Sequence, residues 1–348
     1  LTAQVDARLN YLAANLIEGG ILNVGDPAFS QDPADLRSLV AQRQADQGRK
    51  VDIIRIPTGM SAAEAHRWRE ENYPQQYGEF EGNRPRYLLL MGDTEGISLQ
   101  TQLVLGVDSF PGRLVCASDD GYAAYVDKVL RWQRKPATAS AGRSLFYTVD
   151  DGTQATGHGY EKLISPLHRE CAQVWQKRRS EYPAQALHSH GWGDEPDPDA
   201  FLELVGKPVP SVLLSMSHGK GPPRRSRSWT PERARLLQGS MQFGRTGAVT
   251  PEEVGSGNFL PGGFWFYFAC FGAGTPSQSA YHRWLQLRGD DNPKLRQVLA
   301  GLAKTEGFTS GIAQAALANP NGPLAIYGHF DLAWSFSFES LRGAGSRP

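Results

Sequence analysis

Short apolar runs alternate with amphipathic stretches along most of the chain, a pattern typical of a parallel sheet covered by helices. The run from Tyr87 to Met91, read as YLLLM, is the strongest strand signal of the first half. Ser61 predicts a helix start, because Glu64 stands three positions later and completes a capping box. The predicted elements of the first half are helix 2–16, strand 21–24, helix 35–47, strand 51–56, a helix from residue 61, strand 86–91, an edge segment at 111–116 and helix 121–133.

Residues 135–143 are small and polar, and we expect them to separate two side-by-side subdomains, 1–140 and 141–348. Strands again alternate with helices in the second half, which favours right-handed crossovers between parallel strands. The predicted fold class is therefore α/β, with largely parallel sheets flanked by helices. The predicted elements of the second half are strand 144–149, helix 160–179, strand 184–188, helix 198–205, strands 211–214 and 264–269, helix 293–304 and strand 324–327.

Two of these strands lead into chemically reactive side chains. The aromatic run 264–268 continues into Ala269, Cys270 and a turn of small residues. A run without alternation predicts a strand buried on both faces of a parallel sheet. Strand 211–214 leads in the same way into His218 and Gly219. Since open α/β sheets place their sites at the carboxyl ends of strands, we expect Cys270 and His218 to meet there.

Charge and cysteine content narrow the function classes. The chain has 348 residues with 36 Lys+Arg and 36 Asp+Glu, so nucleic acid and anionic membranes are not expected partners. No apolar run is long enough to span a membrane. Three scattered cysteines do not make a disulfide framework, which fits a reducing compartment, and we expect a cytoplasmic protein. The chain begins at Leu1 without a signal peptide, as a processed protein or a piece of a larger parent chain would.

A cysteine and a histidine at neighbouring strand ends have a defined chemistry. The thiolate is the attacking form of cysteine, and an adjacent imidazole can take the thiol proton. Backbone N–H groups are then needed to face the developing oxyanion. The sequence therefore predicts His218 as the base, Cys270 as the nucleophile, and the N–H groups of Gly219 and Cys270 as oxyanion donors.

The order of these motifs resembles the caspase-like cysteine peptidases, and much of the chain resembles their gingipain branch. His-Gly follows one strand and Ala-Cys follows a later one. The resemblance covers most of residues 20–340 and implies a caspase-like fold that cleaves peptide bonds through an acyl-enzyme. Its longest matching segments are YLLLMGD at 87–93, FPGRLVC at 110–116, YVDKVLRWQ at 125–133 and LAIYGHFDLAW at 324–334.

The resemblance also implies roles for residues around the dyad. Asp151 matches an acidic residue near the catalytic histidine, and it either orients His218 or is a turn residue without a catalytic part. Trp334 matches a tryptophan that lids the pocket for the side chain before the cut, which implies cleavage after Arg or Lys. An acid at the selecting position is missing here, and the long basic insert between His218 and Cys270 is a further departure. The candidate pocket residues are Trp334, Asp150, Asp331, Met216 and Ser217.

These features predict a cysteine endopeptidase without a cofactor or a metal. The expected partners are a protein or peptide substrate and an activating partner or larger parent chain. The family implies a conditionally activated bacterial effector, for example in immunity. A catalytically silent caspase-like adaptor and a nucleotide-binding regulatory domain are the alternatives.

Two competing motifs stand beside the dyad. Gly272-Ala273-Gly274 begins like a dinucleotide-binding fingerprint, although Ser277 replaces the third glycine. His188, His190 and Asp194 offer metal ligands, but a polar loop between a strand and a helix explains them equally well.

Overall fold

The computed structural model describes residues 19–24, 36–48, 50–78, 84–135, 142–178, 187–221, 229–282 and 306–334. The helices predicted at 2–16 and 293–304 lie outside these ranges. Contacts divide the chain into two compact units, Leu1–Val126 and Asp127–Pro348, and each is described by itself. The linker predicted near residue 140 also lies outside the described residues, so the subdomain boundary stays a prediction.

The first unit is a four-stranded parallel sheet of order β2-β1-β3-β4 with helices between the strands. In the core of this unit, alternate leucines of β3, Leu88 and Leu90, are buried with Ile54 and Ile56 of β2. The elements are β1 Gly19–Val24, α1 Arg37–Gln47, β2 Ile53–Ile56, α2 Ala62–Tyr77, β3 Tyr87–Met91, α3 Leu99–Leu105, β4 Phe110–Leu114 and α4 Asp119–Gln133, which runs across the division into the second unit.

The capping box at the start of α2 is present as the sequence predicts. The Ser61 side chain accepts the Glu64 backbone N–H, and the Glu64 carboxylate accepts the Ser61 backbone N–H at 2.8 Å. The hydrogen bonds that the Ser61 backbone N–H and hydroxyl donate to the Glu64 carboxylate lower the pKa of Glu64. Two backbone donors without partners in the helix are thereby satisfied at its first turn.

The second unit is built on a five-stranded parallel sheet of order β14-β11-β7-β5-β6. Two small antiparallel sheets, β10-β9-β8 and β12-β13, follow its strand ends. The mainly parallel α/β class predicted from the sequence is confirmed. The elements are β5 Arg143–Thr148, α5 Gln154–Gly159, a π-turn Tyr160–Ile164, α6 Ser165–Lys177, β6 Leu187–His190, α7 Pro198–Gly206, β7 Ser211–Met216, β8 His218–Gly219, α8 Pro231–Leu237, β9 Met241–Gln242, β10 Ala248–Val249, α9 Pro251–Gly255, β11 Phe264–Phe268, β12 Gly274–Thr275, β13 Phe308–Thr309, α10 Gly311–Ala318 and β14 Ala325–Gly328.

Strand β11 is not buried on both faces, and this corrects the prediction for its aromatic run. Trp265 and Tyr267 are buried, whereas Phe264 and Phe266 are 47% and 42% exposed. The buried face carries the aromatic residues with polar tips, and those tips have partners. Trp265 Nε1 donates to Ser215 Oγ at 2.8 Å, and the Tyr267 hydroxyl donates to a backbone carbonyl at 2.9 Å. Satisfied indole and phenol groups explain why hydrophobicity alone did not reveal the alternation.

The helical segment after β5 begins earlier than predicted. The structure has one continuous helical run from Gln154 to Lys177, with a π-turn at Tyr160–Ile164. Gly159 precedes that turn and packs on Met216 of β7, where an added Cβ would lie 1.7 Å from the methionine methyl carbon. Glycine therefore allows this close approach of helix to sheet without displacing the end of the Met216 side chain.

A buried lysine closes the far end of α10. Lys128 has no exposed surface, and its Nζ donates to the carbonyls of Ala316, Leu317 and Asn319 at 3.3, 2.6 and 2.7 Å. Carbonyl groups at a helix C-terminus have no partner in the helix, and the helix dipole favours a cation there. The ammonium group thus ties α4 to α10 within the second unit.

We expect Lys128→Met to lower the free energy of unfolding by about 2–3 kcal/mol, because it leaves buried carbonyls without donors. Urea denaturation with an unchanged slope would show this as a lower midpoint. Lys177→Met, at an exposed lysine in the last turn of α6, is the matched control and should be near neutral. Equal midpoints for the Lys128 variant and the wild type would contradict a capping role.

Candidate active site

Three chemically active side chains follow three adjacent strands. Asp151 follows β5, His218 follows β7 and Cys270 follows β11, and these strands lie side by side in the order β11-β7-β5. The strand ends stay paired beyond the sheet. Val149 N donates to Met216 O at 3.0 Å, and Ser217 N donates to Phe268 O at 3.2 Å. The parallel arrangement therefore places all three residues just beyond the same edge of the sheet.

Gly219 holds the histidine strand against the cysteine turn. A Cβ added to Gly219 would lie 1.8 Å from the Cys270 carbonyl oxygen, a distance that no side chain can occupy. Antiparallel pairing of His218 with Gln242 and of Gly219 with Met241 fixes this short segment. The absence of a side chain, rather than an unusual backbone angle, is what glycine contributes here.

Asp151 lies under the imidazole of His218, and two threonines contact it. The Asp151 side chain is only 4% exposed, whereas that of His218 is 41% exposed, and Asp151 Oδ2 lies 3.7 Å from His218 Nε2. Thr153 and Thr156 donate their hydroxyls to Asp151 Oδ1 at 2.8 and 2.7 Å. Thr153 Oγ1 also lies 2.9 Å from His218 Nε2. Asp151 therefore interacts with His218 both directly and through the Thr153 hydroxyl.

The Asp151 carboxyl group is held in its ionised form. Burial alone would raise its pKa, but hydrogen bonds from Thr156 and Thr153 outweigh burial, and the net effect is a lowered pKa. The Thr153 backbone N–H adds a further hydrogen bond at 3.1 Å. Hydrogen bonding to the charged form therefore favours the ionised carboxylate next to the histidine.

Cys270 stands in a sharp turn after β11. Phe271 has a φ of 61°, the left-handed region that a residue with a side chain rarely adopts, and its N–H donates to Asp331 O at 2.9 Å. The Ala333 N–H donates to Cys270 Sγ at 3.4 Å. Burial raises the pKa of the Cys270 thiol, and Asp331 raises it further, against a lowering by the Ala333 hydrogen bond. The thiol at rest is therefore the neutral form.

Trp334 lies beside this turn. Cys270, Tyr281, Leu332 and Trp334 pack against the buried Phe271. The Trp334 and Tyr281 rings meet edge to face with centroids 5.6 Å apart. An aromatic wall thus stands next to the candidate nucleophile.

The two candidate pocket acids have different surroundings. The Asp331 carboxylate accepts hydrogen bonds from Ser279 Oγ at 2.9 Å and from the Ala280 and Leu332 N–H groups at 2.9 and 2.7 Å. It therefore organises the loops beside Trp334. Asp150 instead accepts the N–H of Gly193, beyond β6, at 3.2 Å.

Met216 and Ser217, the other candidate pocket residues, are buried at 5% and 6% exposure. Met216 packs with Phe146 and Ile164 beneath the sheet edge, and the Ser217 hydroxyl donates to the His218 carbonyl at 3.1 Å. The structure thus places both side chains in the support of the histidine segment.

The motifs that competed with the dyad lack the structural context they need. A dinucleotide fingerprint requires a helix after its glycines, but Gly274–Thr275 forms β12. Within the described ranges, no group of three or more His, Cys, Asp or Glu side chains is arranged to hold a metal ion. His190 instead lines a cavity of about 400 Å³ beside β6 with Asp194, Glu195, Asp197 and Glu203.

Sequence reasoning missed the two threonines and Tyr281. Thr153 and Thr156 stand two and five positions after Asp151, and an acid followed by threonines at a helix start is a signal for local side-chain hydrogen bonds. Tyr281 lies between predicted elements, where the sequence has no comparable signal.

The arrangement of the sheet is that of a caspase-like α/β fold, and comparison with solved structures confirms the fold expected from the resemblance. A chain described as "Structure of Protease" superposes with a TM-score of 0.52 at 13% identity, over 91% of this chain and 60% of that one. The complex of the pro- and mature domains of Porphyromonas gingivalis RgpB gives a TM-score of 0.51 at 14% identity, over 90% and 64%. The chain thus spans less than two thirds of either chain.

At these identities the likeness shows the fold. No protein-family model matches the chain, and no curated protein matches it. Within the described part of the chain, no helix is both long and apolar enough to cross a membrane.

Asp151→Asn should destabilise the protein at neutral pH by about 1 kcal/mol, because an amide is a weaker acceptor than a carboxylate for the two threonine hydroxyls. A lowered pKa in the folded state gives stability that is present above the pKa of an unfolded aspartate, about 4, and is lost as the pH falls through the folded value. The difference between variant and wild type in urea unfolding should therefore shrink from pH 7 to pH 3. An equal difference at both pH values would show that the charge of Asp151 contributes nothing.

Proposed function

We propose that the protein is a cysteine endopeptidase in which His218 and Cys270 form the catalytic dyad and Asp151 orients the histidine. The observation that carries the proposal is the placement of these residues after three adjacent parallel strands, with Gly219 packed on the Cys270 backbone. The similarity in fold to two protease structures supports the same class of reaction. The likeness to a complex that includes a pro-domain also supports an activating partner or a covering segment.

The reaction would proceed in two halves. The Cys270 thiol proton passes to the His218 imidazole while sulfur bonds to the scissile carbonyl carbon and the carbonyl electrons move to oxygen. The Gly219 and Cys270 N–H groups are the proposed donors to that oxyanion. The carbon–nitrogen bond then breaks, and the leaving amine takes the proton from the imidazolium. Water, deprotonated by the same imidazole, hydrolyses the thioester and restores the thiol.

The raised pKa of Cys270 supports one of two possible forms of the proposed dyad. A thiol whose pKa is raised by burial does not ionise spontaneously near neutral pH. The structure therefore supports base-assisted attack, in which the proton leaves sulfur as the carbon–sulfur bond forms, over a resting thiolate–imidazolium pair. Asp151 would then act by stabilising the imidazolium as it appears.

Substrate selection is proposed to depend on Trp334 and Asp331. A cationic side chain can lie over an aromatic face and gain about 0.5–2 kcal/mol. Asp331 adds negative charge beside Cys270, and its three hydrogen-bond donors leave room on a carboxylate that has about four acceptor sites. Both features favour cleavage after Arg or Lys, as the resemblance implied.

Cys270→Ala and His218→Ala should each lower peptide cleavage by about 10³-fold or more, since the members of a catalytic unit depend on one another. Both variants should keep the wild-type circular dichroism spectrum and unfolding midpoint. Cys171→Ala, at a partly buried cysteine packed with Phe146 and Met216, is the matched control and should retain activity. Wild-type turnover by Cys270→Ala would refute the proposed function.

The same variants distinguish the proposed peptidase from the alternative of a catalytically silent adaptor. A thiol-reactive peptide probe should label wild-type Cys270 in competition with excess peptide and should not label Cys270→Ala. An adaptor predicts no labelling above that of a surface cysteine and no cleavage in a peptide library read by mass spectrometry.

Fluorogenic peptides that differ only in the residue before the cut, as Arg, Lys, Asp, Leu or Ala, should give the highest kcat/KM for Arg and Lys. Trp334→Ala should lower the ratio of the Arg to the Leu value by about 2- to 30-fold, the equivalent of roughly 0.5–2 kcal/mol of cation–π energy. The ratio is the measurement because a general disturbance of the turn lowers both rates. A preference for Asp or Leu would contradict the basic selectivity.

A further inference from the structure

Thr153 is the N-cap residue that precedes α5, but its hydroxyl does not cap the helix. The N-cap residues of helices α2, α3, α8 and α10 are Ser61, Ser98, Thr230 and Ser310, and each of those side chains accepts a backbone N–H three residues further along the chain. Thr153 has extended backbone angles typical of such a cap and makes no side-chain cap hydrogen bond. Its hydroxyl is used elsewhere.

The Thr153 hydroxyl bridges the acid and the base of the candidate site. Its oxygen lies 2.8 Å from Asp151 Oδ1 and 2.9 Å from His218 Nε2. Thr156 is 2% exposed and holds the same carboxylate oxygen at 2.7 Å, so the acid cannot turn away from Thr153. Both distances are those of good hydrogen bonds.

Counting protons assigns the direction of these bonds. An ionised carboxylate can only accept, so the single hydroxyl proton of Thr153 goes to Asp151. The oxygen then presents a lone pair to His218 Nε2, and that nitrogen must carry a hydrogen to bond to it. The negative charge of Asp151 Oδ2, 3.7 Å from Nε2, favours the same placement. In the neutral ring, Nδ1 is therefore left with the lone pair.

We propose that Thr153 is a positioning residue that fixes the tautomer of His218, with hydrogen on Nε2 and the lone pair on Nδ1. For catalysis the inference rests on the proposed function. The Cys270 thiol proton moves to Nδ1 as sulfur bonds to the carbonyl carbon, and the same proton leaves Nδ1 for the amine when the carbon–nitrogen bond breaks. During both proton transfers the Nε2–H group stays hydrogen-bonded to the Thr153 oxygen, so the ring keeps its orientation while its charge changes.

The tautomer can be read directly by NMR of protein with ¹⁵N-labelled histidine, with His218 signals assigned by their loss in His218→Gln. The wild type and Thr153→Ser should show protonated Nε2 and unprotonated Nδ1 when the ring is neutral. Thr153→Val keeps the shape of the side chain but removes the acceptor. It should give an averaged or reversed pattern at His218, with the other histidines unchanged.

Kinetics with the best-cleaved fluorogenic peptide of the series above supply a second readout. Thr153→Val should lower kcat by about 10- to 100-fold, less than the 10²- to 10⁴-fold that a positioned base contributes, with little change in KM. Thr153→Ser should stay within about 3-fold of the wild type, because it retains the hydroxyl. Thr250→Val is the matched control. Thr250 is likewise the N-cap residue of a helix, α9, and its hydroxyl bonds to the carboxylate of Glu253. Removal of the Thr250 hydroxyl should leave kcat unchanged.

The two readouts separate the inference from the function on which it rests. Wild-type ring signals in Thr153→Val would overturn the assignment whatever the activity, and so would an unprotonated Nε2 in the wild type. If no peptide is cleaved but the ring signals change as expected, the proposed function fails and the tautomer assignment stands. Equal losses of kcat in Thr153→Val and Thr153→Ser would also overturn the proposed role of Thr153, because the hydroxyl retained in Thr153→Ser should preserve activity.

Discussion

The register of β7 between β5 and β11 is the constraint on which the candidate site depends. Parallel strands that start level also end level, so residues just beyond their carboxyl ends are set side by side. The backbone bonds from Val149 to Met216 and from Ser217 to Phe268 extend this alignment past the sheet. A shift of one residue in β7 would turn the histidine side chain to the opposite face.

The core of the second unit protects that register through polar groups as well as apolar ones. Trp265 of β11 is bonded to Ser215 of β7 inside a cluster that is otherwise apolar. A slip between these strands would leave the indole N–H without a partner in the interior, at a cost of about 1–3 kcal/mol. The hydrogen bond therefore specifies one pairing, whereas apolar packing alone tolerates several. The same geometry brings Gly219 against Cys270.

The order of the main strands could be predicted because it follows from periodicity, and local signals such as the capping box at Ser61 indicated some of the helices. The helices α3, α8 and α10 were not predicted. The positions of His218 and Cys270 could be predicted from periodicity, since both follow apolar strands. The exposed Phe face of β11 could not, because its buried face uses Trp and Tyr, whose polar tips find partners only in the folded state. The contact between Thr153 and His218 likewise joins residues far apart in sequence, so no spacing rule indicates it, although Asp151 and Thr153 are close neighbours in the chain.

The electrostatics of the turn connect selectivity to reactivity. Cys270 is neutral at rest because burial, with a further contribution from Asp331, raises its thiol pKa. The charge of Asp331 thus works against ionisation of this thiol. A cationic guest beside Asp331 would offset that charge and remove part of the penalty on developing negative charge at sulfur. Under the proposed function, an Arg or Lys side chain would therefore do more than bind. Its charge would favour the thiolate of Cys270 in the enzyme–substrate complex. Without a bound substrate, the thiol would stay in its less reactive neutral form.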